Sequence, residues 1–203
     1  MRTIVYIDGQ NFLYKVTERV LANGLVGSKQ DIAKIDIPYL VKQVLPNENP
    51  EIRYYGVAKI RRQEEYGVEI REKSEKFADN LRRLKGCLSK TNVKYFPVGI
   101  LKVRDRDECK VCGVKDYKFQ EKGVDVGLAV DIVRDVLENK VDHIVLVSSD
   151  TDLMPAIRIA REKKVRITYI AFDSQITQSI SRQSDATQIF RDYEIIEAFK
   201  RLN

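Results

Sequence analysis

A continuous apolar run, HIVLVSS at 143–149, and a second segment of buried-strand character, VRITYIAF at 165–172, constrain the fold of this chain more than any other feature. A strand with one wet face alternates apolar and polar residues. A run that is apolar at nearly every position belongs to a strand covered on both faces, the usual state in parallel sheets. RTIVYI at 2–7 is a third such run and ends at Asp8. Between these runs the apolar residues recur at helical steps. Phe12, Leu13, Val16, Val20 and Leu21 mark a helix over 10–22, and Ile70, Phe77, Leu81, Leu84 and Leu88 mark one over 68–90. Val124, Leu128, Ile132, Val133, Val136 and Leu137 mark a third, and residues 152–163 a fourth. Such alternation predicts an α/β fold, a mostly parallel sheet with helices on both faces.

The remaining segments fit that frame. Asp36 followed by Pro38 signals a helix start. RYYGVAKI (53–60) and VKYFPVGILKV (93–103) are further strands, with Pro97 marking an edge, a bend or a bulge. Residues 104–122 are highly charged and read as an inserted loop or small hairpin. Polar residues 173–185 lead to a short strand near Ile189 and a last helix at 193–202. The expected layout is one domain over 1–172, carrying the insertion, with the strand and helix of 173–203 packed on it. At 203 residues the chain is long enough to bury a real core, roughly 70% of its unfolded surface.

Composition excludes much chemistry. One His cannot build a multi-His metal site, and GxSxG, HExxH, GxGxxG and GxxxxGK[ST] are absent. Three Cys argue against a secreted disulfide framework and for a reducing compartment, the cytoplasm. No apolar run approaches the roughly 20 residues of a membrane helix, and the N-terminus lacks a signal-peptide layout. The net charge of +6 suits a polyanionic partner and equally suits an ordinary basic protein.

The acids are the informative residues. Asp8 ends the first strand, Asp150 follows the central apolar run, Asp152 opens the next helix and Asp125 opens the helix at 124–138. In an open α/β sheet ligands bind beyond the carboxyl ends of the strands, so these four are expected to converge. Clustered carboxylates repel unless protonated or neutralised by a cation, and Mg²⁺ or Mn²⁺ suits oxygen ligands. Each Asp alone would also serve as a helix cap or dipole partner.

With these residues in view, VYIDGQNF (5–12), KGVDVGLAVDIV (122–133) and HIVLVSSDTDLMPAI (143–157) resemble, in that order, the NYN domain, and most nearly its LabA-like branch. That resemblance implies a Rossmann-like PIN fold and a metal-dependent endoribonuclease that hydrolyses RNA phosphodiesters with a metal-activated water. It implies that Asp8, Asp125, Asp150 and Asp152 are the catalytic and metal-binding acids. Asn11 would orient a ligand or water, Lys122 would touch a phosphate, and Ser148 and Ser149 would offer hydroxyls. Asp131 lies about 240° around the helix from Asp125 and reads as solvent face, with Asp135 one turn on and Arg134–Glu138 as a pair.

Cys109-x-x-Cys112 has the spacing of half a structural Zn²⁺ site, with Cys87 or His143 as a further ligand or a second chain of a homodimer completing it; a redox couple or two unrelated thiols fit as well. His143 precedes a strand and reads as a surface or satisfied residue. Lys115, Tyr117, Lys118 and Phe119 interleave cations and aromatics, as an RNA-binding loop would, and Arg61, Arg62, Arg82, Arg83 and Lys85 extend a basic track; a solvated face is the alternative. Two other functions stay open on sequence: a non-catalytic nucleic-acid-binding or regulatory module with a retained acidic metal site, and a small-molecule phosphohydrolase.

Overall fold

A computed structural model describes residues 1–25, 34–61, 68–105, 117–173 and 176–203. The strands are β1 (Thr3–Asp8), β2 (Glu51–Arg61), β3 (Lys94–Asp105), β4 (Tyr117–Lys122), β5 (His143–Val147), β6 (Arg166–Phe172) and β7 (Ala186–Phe190). The helices are α1 (Gly9–Ala22), α2 (Ile37–Val44), α3 (Val68–Lys90), α4 (Val124–Leu137), α5 (Met154–Glu162), α6 (Gln178–Arg182) and α7 (Asp192–Lys200). Among the described residues, one seven-stranded sheet runs in the order β4-β3-β2-β1-β5-β6-β7. Every neighbouring pair is parallel except β3 and β4.

Burial follows from strand parity. All six residues of β1 are buried. Val5 and Ile7 face a core shared with Phe12, Val16 and Val20 of α1, Leu40 and Val41 of α2, and Ile195 and Phe199 of α7. Ile4 and Tyr6 face the opposite core, with Leu128, Ile132 and Val136 of α4 and Ala156, Ile157 and Ala160 of α5. A strand covered on both faces must be apolar throughout, which is why these runs show no alternation. Asp8 shares its parity with Ile4 and Tyr6 and so turns toward the α4–α5 side.

The helix starts carry their expected caps. Asp8 accepts the Asn11 backbone N–H at 3.1 Å, and Asp36 accepts that of Tyr39 at 3.0 Å with Pro38 in the first turn. Pro97 does not lie on an edge strand, because β4 pairs outside β3. It lies at a bulge: the register steps from Gly56↔Pro97 to Val57↔Gly99 and then Lys59↔Ile100, so Val98 and Ala58 drop out of the ladder. The missing proline N–H is accommodated where the ladder is already broken. The charged segment closes as an antiparallel hairpin, from Asp105↔Tyr117 to Ile100↔Lys122. The polar stretch before β7 also contains a short helix, α6, anchored by fully buried Ile180.

β1 has β2 on one side and β5 on the other, so the strand order reverses there. The crevice beyond the carboxyl ends of β1 and β5 is the switch point, where open α/β sheets bind ligands.

Candidate metal centre

At the switch point the chain leaves β1 through Asp8 and turns at once into α1. The next residue has to be glycine: a Cβ on Gly9 would lie 2.3 Å from the Tyr54 ring and 2.4 Å from the Tyr55 carbonyl oxygen. Asp8 is buried, and both its oxygens are engaged. Oδ1 caps α1, and Oδ2 accepts the Ser148 hydroxyl at 3.0 Å. Ser148 Oγ in turn accepts the Asp150 backbone N–H at 3.1 Å. Asp150 caps the single 3-10 turn Thr151–Leu153, accepting the Asp152 N–H at 2.9 Å. Asn11 ties α1 to the same loop, its Nδ2 donating to Ser149 Oγ at 2.8 Å. A relay of hydrogen bonds thus fixes the loop after β5 relative to the end of β1.

Asp125 arrives from the other direction. Gly123 adopts φ +81°, a left-handed conformation that glycine takes without steric cost, and turns the chain from β4 into α4. Asp125 falls in the first turn of α4, where the helix dipole also favours an acid. Carboxylate oxygens of Asp125, Asp150 and Asp152 all lie within 4.8 Å of one another. Asp125 and Asp150 are half-buried and Asp152 is exposed, so the group opens to solvent. Three oxygen donors at this spacing, with no nitrogen or sulfur among them, fit a hard divalent cation that keeps several waters.

Asp8 stands beside this group without being one of the three. Burial foremost raises its pKa, against the lowering effect of Asn11 and Ser148, and the nearby charges of Asp150 and Asp125 raise it further. Asn11 and Ser149 are committed to each other, and Ser148 to Asp8 and Asp150, so these residues shape the loop. Lys122, half-buried, is the last residue of β4.

Glu121 was not expected at the site. It pairs with Leu101 across the hairpin, and burial, followed by the charges of Asp8 and Asp125, pushes its carboxyl up to about 7. The signal in the sequence is strand parity: Glu121 falls on the same face of β4 as the half-buried Phe119 and opposite the buried Leu101 of β3. A run as charged as YKFQEK hides that alternation.

Asp131 and Asp135 are not solvent-facing. Both are buried on the sheet side of α4, Asp135 over Arg53 of β2 and Asp131 beside Tyr55 of the same strand. Asp135 accepts Arg53 Nη1 at 2.5 Å and the Tyr6 hydroxyl at 2.7 Å. Arg134 pairs with Asp131 at 2.7 Å instead of Glu138, which pairs with Lys140. His143 is fully buried at the amino end of β5, far along the strand from the acids, with Nε2 2.8 Å from Thr168 Oγ1 and Nδ1 3.1 Å from Glu48 Oε2. It is a satisfied core residue. Cys87 is a free, half-buried thiol on α3. Cys109, Cys112, Lys115 and Arg62, together with the side chains of Arg61 and Lys118, lie outside the described residues. Phe119 is half-buried and Tyr117 exposed. No described helix is long and apolar enough to cross a membrane.

The NYN domain family matches residues 2–194, and the chain belongs to that family. Its mixed α/β fold with a seven-stranded sheet is accordingly of the PIN-like, nuclease-type class. The chain is 27% identical to 6-hydroxy-3-succinoylpyridine 3-monooxygenase HspA of Pseudomonas putida, over 79% of this chain and 56% of that protein. It thus spans little more than half the length of that relative. A crystal structure of a protein of unknown function from Vibrio parahaemolyticus is similar at 16% identity, with a TM-score of 0.49, covering 93% of this chain and 91% of that one.

Proposed function

We propose that this protein is a Mg²⁺- or Mn²⁺-dependent endoribonuclease that acts at the acid cluster. The observation that supports it most is the meeting of Asp125, Asp150 and Asp152 at the switch point of an NYN-domain sheet. Asp125, Asp150 and Asp152 would hold the ion. Bound there, it supplies Lewis acidity toward a phosphoryl oxygen and lowers the pKa of a water. Asp8 would set the position of Asp150 through Ser148 and add negative charge beside the ion. Lys122, next to the turn into α4, would meet a phosphate of the strand. The Asn11–Ser149 pair would hold the loop rigid while RNA is bound.

A 27%-identical relative of greater length does not carry its substrate to this chain, and an all-carboxylate centre in this family favours phosphodiester chemistry. RNA would be its partner, and three Cys in a chain of this length favour a reducing, cytoplasmic setting.

The test is cleavage of a labelled single-stranded RNA in Mn²⁺, Mg²⁺ and EDTA by the wild type, Asp150→Asn and Asp152→Asn. The expected result is metal-dependent cutting that falls by about 100-fold or more in each variant, with unfolding curves near wild type. Wild-type cutting by Asp150→Asn would remove the assignment. RNA bound but uncut by the wild type in either metal would favour a binding module.

A further inference from the structure

A cavity of about 460 Å³ opens next to the acids, between β2–β4, α1 and α3. Its walls include Tyr54, Tyr95, Phe77, Leu81, Leu84 and Leu101. Gly9 and Glu121 also border it: Gly9 directly follows Asp8, and the Asp8 and Asp125 charges act on Glu121. The cavity and the acid cluster are therefore neighbouring compartments of one crevice.

Its aromatic wall is held rigid. The Tyr54 hydroxyl donates to the Gly9 carbonyl at 2.8 Å and the Tyr95 hydroxyl to the Val57 carbonyl at 2.8 Å. The two rings stack at 6.0 Å with planes 20° apart. Lys85 Nζ sits 4.5 Å from the centre of the Tyr95 ring, bringing a cation to the outer side of this wall. A room lined by fixed aromatic and aliphatic groups, with a carboxyl at its rim, repels a phosphate and gives a ribose little to bond. It suits a flat ring with apolar faces and a hydrogen-bonding edge. In a polynucleotide whose phosphate lies at the acids, the unit that answers this description one linkage away is the base.

We propose that this cavity is a nucleobase subsite, in which the aromatic wall receives the base next to the phosphate at the acids and Glu121 reads its N–H edge. The inference rests on the nucleic-acid reading of the acid cluster and adds the specificity element to it. Glu121 would be a specificity-determining residue, and Asn80 and Gln10 offer amides along the same walls.

The test measures binding without turnover. With Mg²⁺ present to hold a phosphate at the acids, calorimetry on the wild-type protein would compare the four nucleoside 5′-monophosphates, none of which has a phosphodiester to cut, with ribose 5-phosphate, which has the phosphate and sugar but no base. At least one nucleotide should bind about tenfold or more tighter than ribose 5-phosphate, the increment that stacking on aromatic side chains provides. Equal affinity for all five, or no binding by any, would overturn the subsite. Location is tested with Asn80→Trp, which adds a tryptophan to a chain that has none. A bound base should quench that fluorophore, or the indole should fill the cavity and abolish the base-dependent increment. Unchanged affinity with unchanged fluorescence would place the base elsewhere. Glu121→Gln should alter the ranking among the four nucleotides, and an unaltered ranking would remove its reading role. A protein that binds bases here but cuts no RNA would fail the nuclease proposal and keep this one. A protein that cuts RNA but shows no base increment would do the reverse.

Discussion

Glu121 shows how a single carboxyl can report on the whole site. Its folded pKa, about 7, lies above the ordinary value of 4.5, so between those values the folded protein holds a proton that the unfolded chain has released. The stability it contributes is complete below about pH 4.5 and lost as pH rises through about 7. Glu121→Gln keeps the neutral form at every pH. In EDTA, urea unfolding should find the variant close to wild type at pH 4.5 and more stable by about 1–2 kcal/mol at pH 8, the size allowed by the shift after discounting for partial exposure. A constant difference across that range would mean that Glu121 titrates normally. Its neighbours were easier to read from sequence. Asp8, Asp125, Asp150 and Asp152 stand at strand ends and helix starts, positions that periodicity locates. What periodicity could not say is which oxygens are already spent: Asp8 gives one to Asn11 and one to Ser148, and this distinguishes it from the other three.

At the scale of elements, close contact at the strand–helix junction matters more than helix propensity. Alanine ordinarily favours a helix over glycine by about 1 kcal/mol. At position 9 that gain is outweighed, because the methyl group would enter the Tyr54 ring and the Tyr55 carbonyl. Gly9→Ala should destabilise the protein by about 1–3 kcal/mol, the range for overpacking, and loosen the Tyr54–Gly9 hydrogen bond. Thermal unfolding of the variant at or above wild type would contradict this. The long amphipathic helix could be read to its ends, because apolar residues at three- and four-residue steps over 68–90 admit no other structure of that length; Val68–Lys90 is helical. The buried strands were legible for the same kind of reason. The orientation of β4 was not. Composition identifies a charged hairpin but does not say that its return strand ends level with Ile100 and delivers Asp125 to the acids. The buried placement of Asp131 and Asp135 was likewise hidden, since Asp135 is met by Arg53 and Asp131 by Tyr55, both from a strand far away in sequence.

Across the whole molecule, the two ends of the sheet respond to pH in opposite directions. At the amino end burial, foremost, lowers the His143 pKa; Arg166 adds to this, while Glu48 and Asp185 oppose it. A histidine held neutral contributes stability above its ordinary value of 6.5 and loses it as pH falls below that value. His143→Gln should flatten the fall in stability between pH 6.5 and 5, whatever its cost at neutral pH. An unchanged slope would assign the acid sensitivity to groups other than His143. At the carboxyl end Asp8 and Glu121 lose stability as pH rises, and a divalent cation offsets the charge that accumulates there. Mg²⁺ or Mn²⁺ should therefore raise the melting temperature more at pH 8 than at pH 5, with no such gain in Asp150→Asn. An equal effect on the variant would show binding elsewhere.

The antiparallel hairpin separates what may vary from what must stay put. The pairing of Ile100 with Lys122, followed by the turn at Gly123, sets where Asp125 emerges. Nothing in that register depends on how many residues join Asp105 to Tyr117. The connection can lengthen, shorten or change its charge while Asp125 keeps its place.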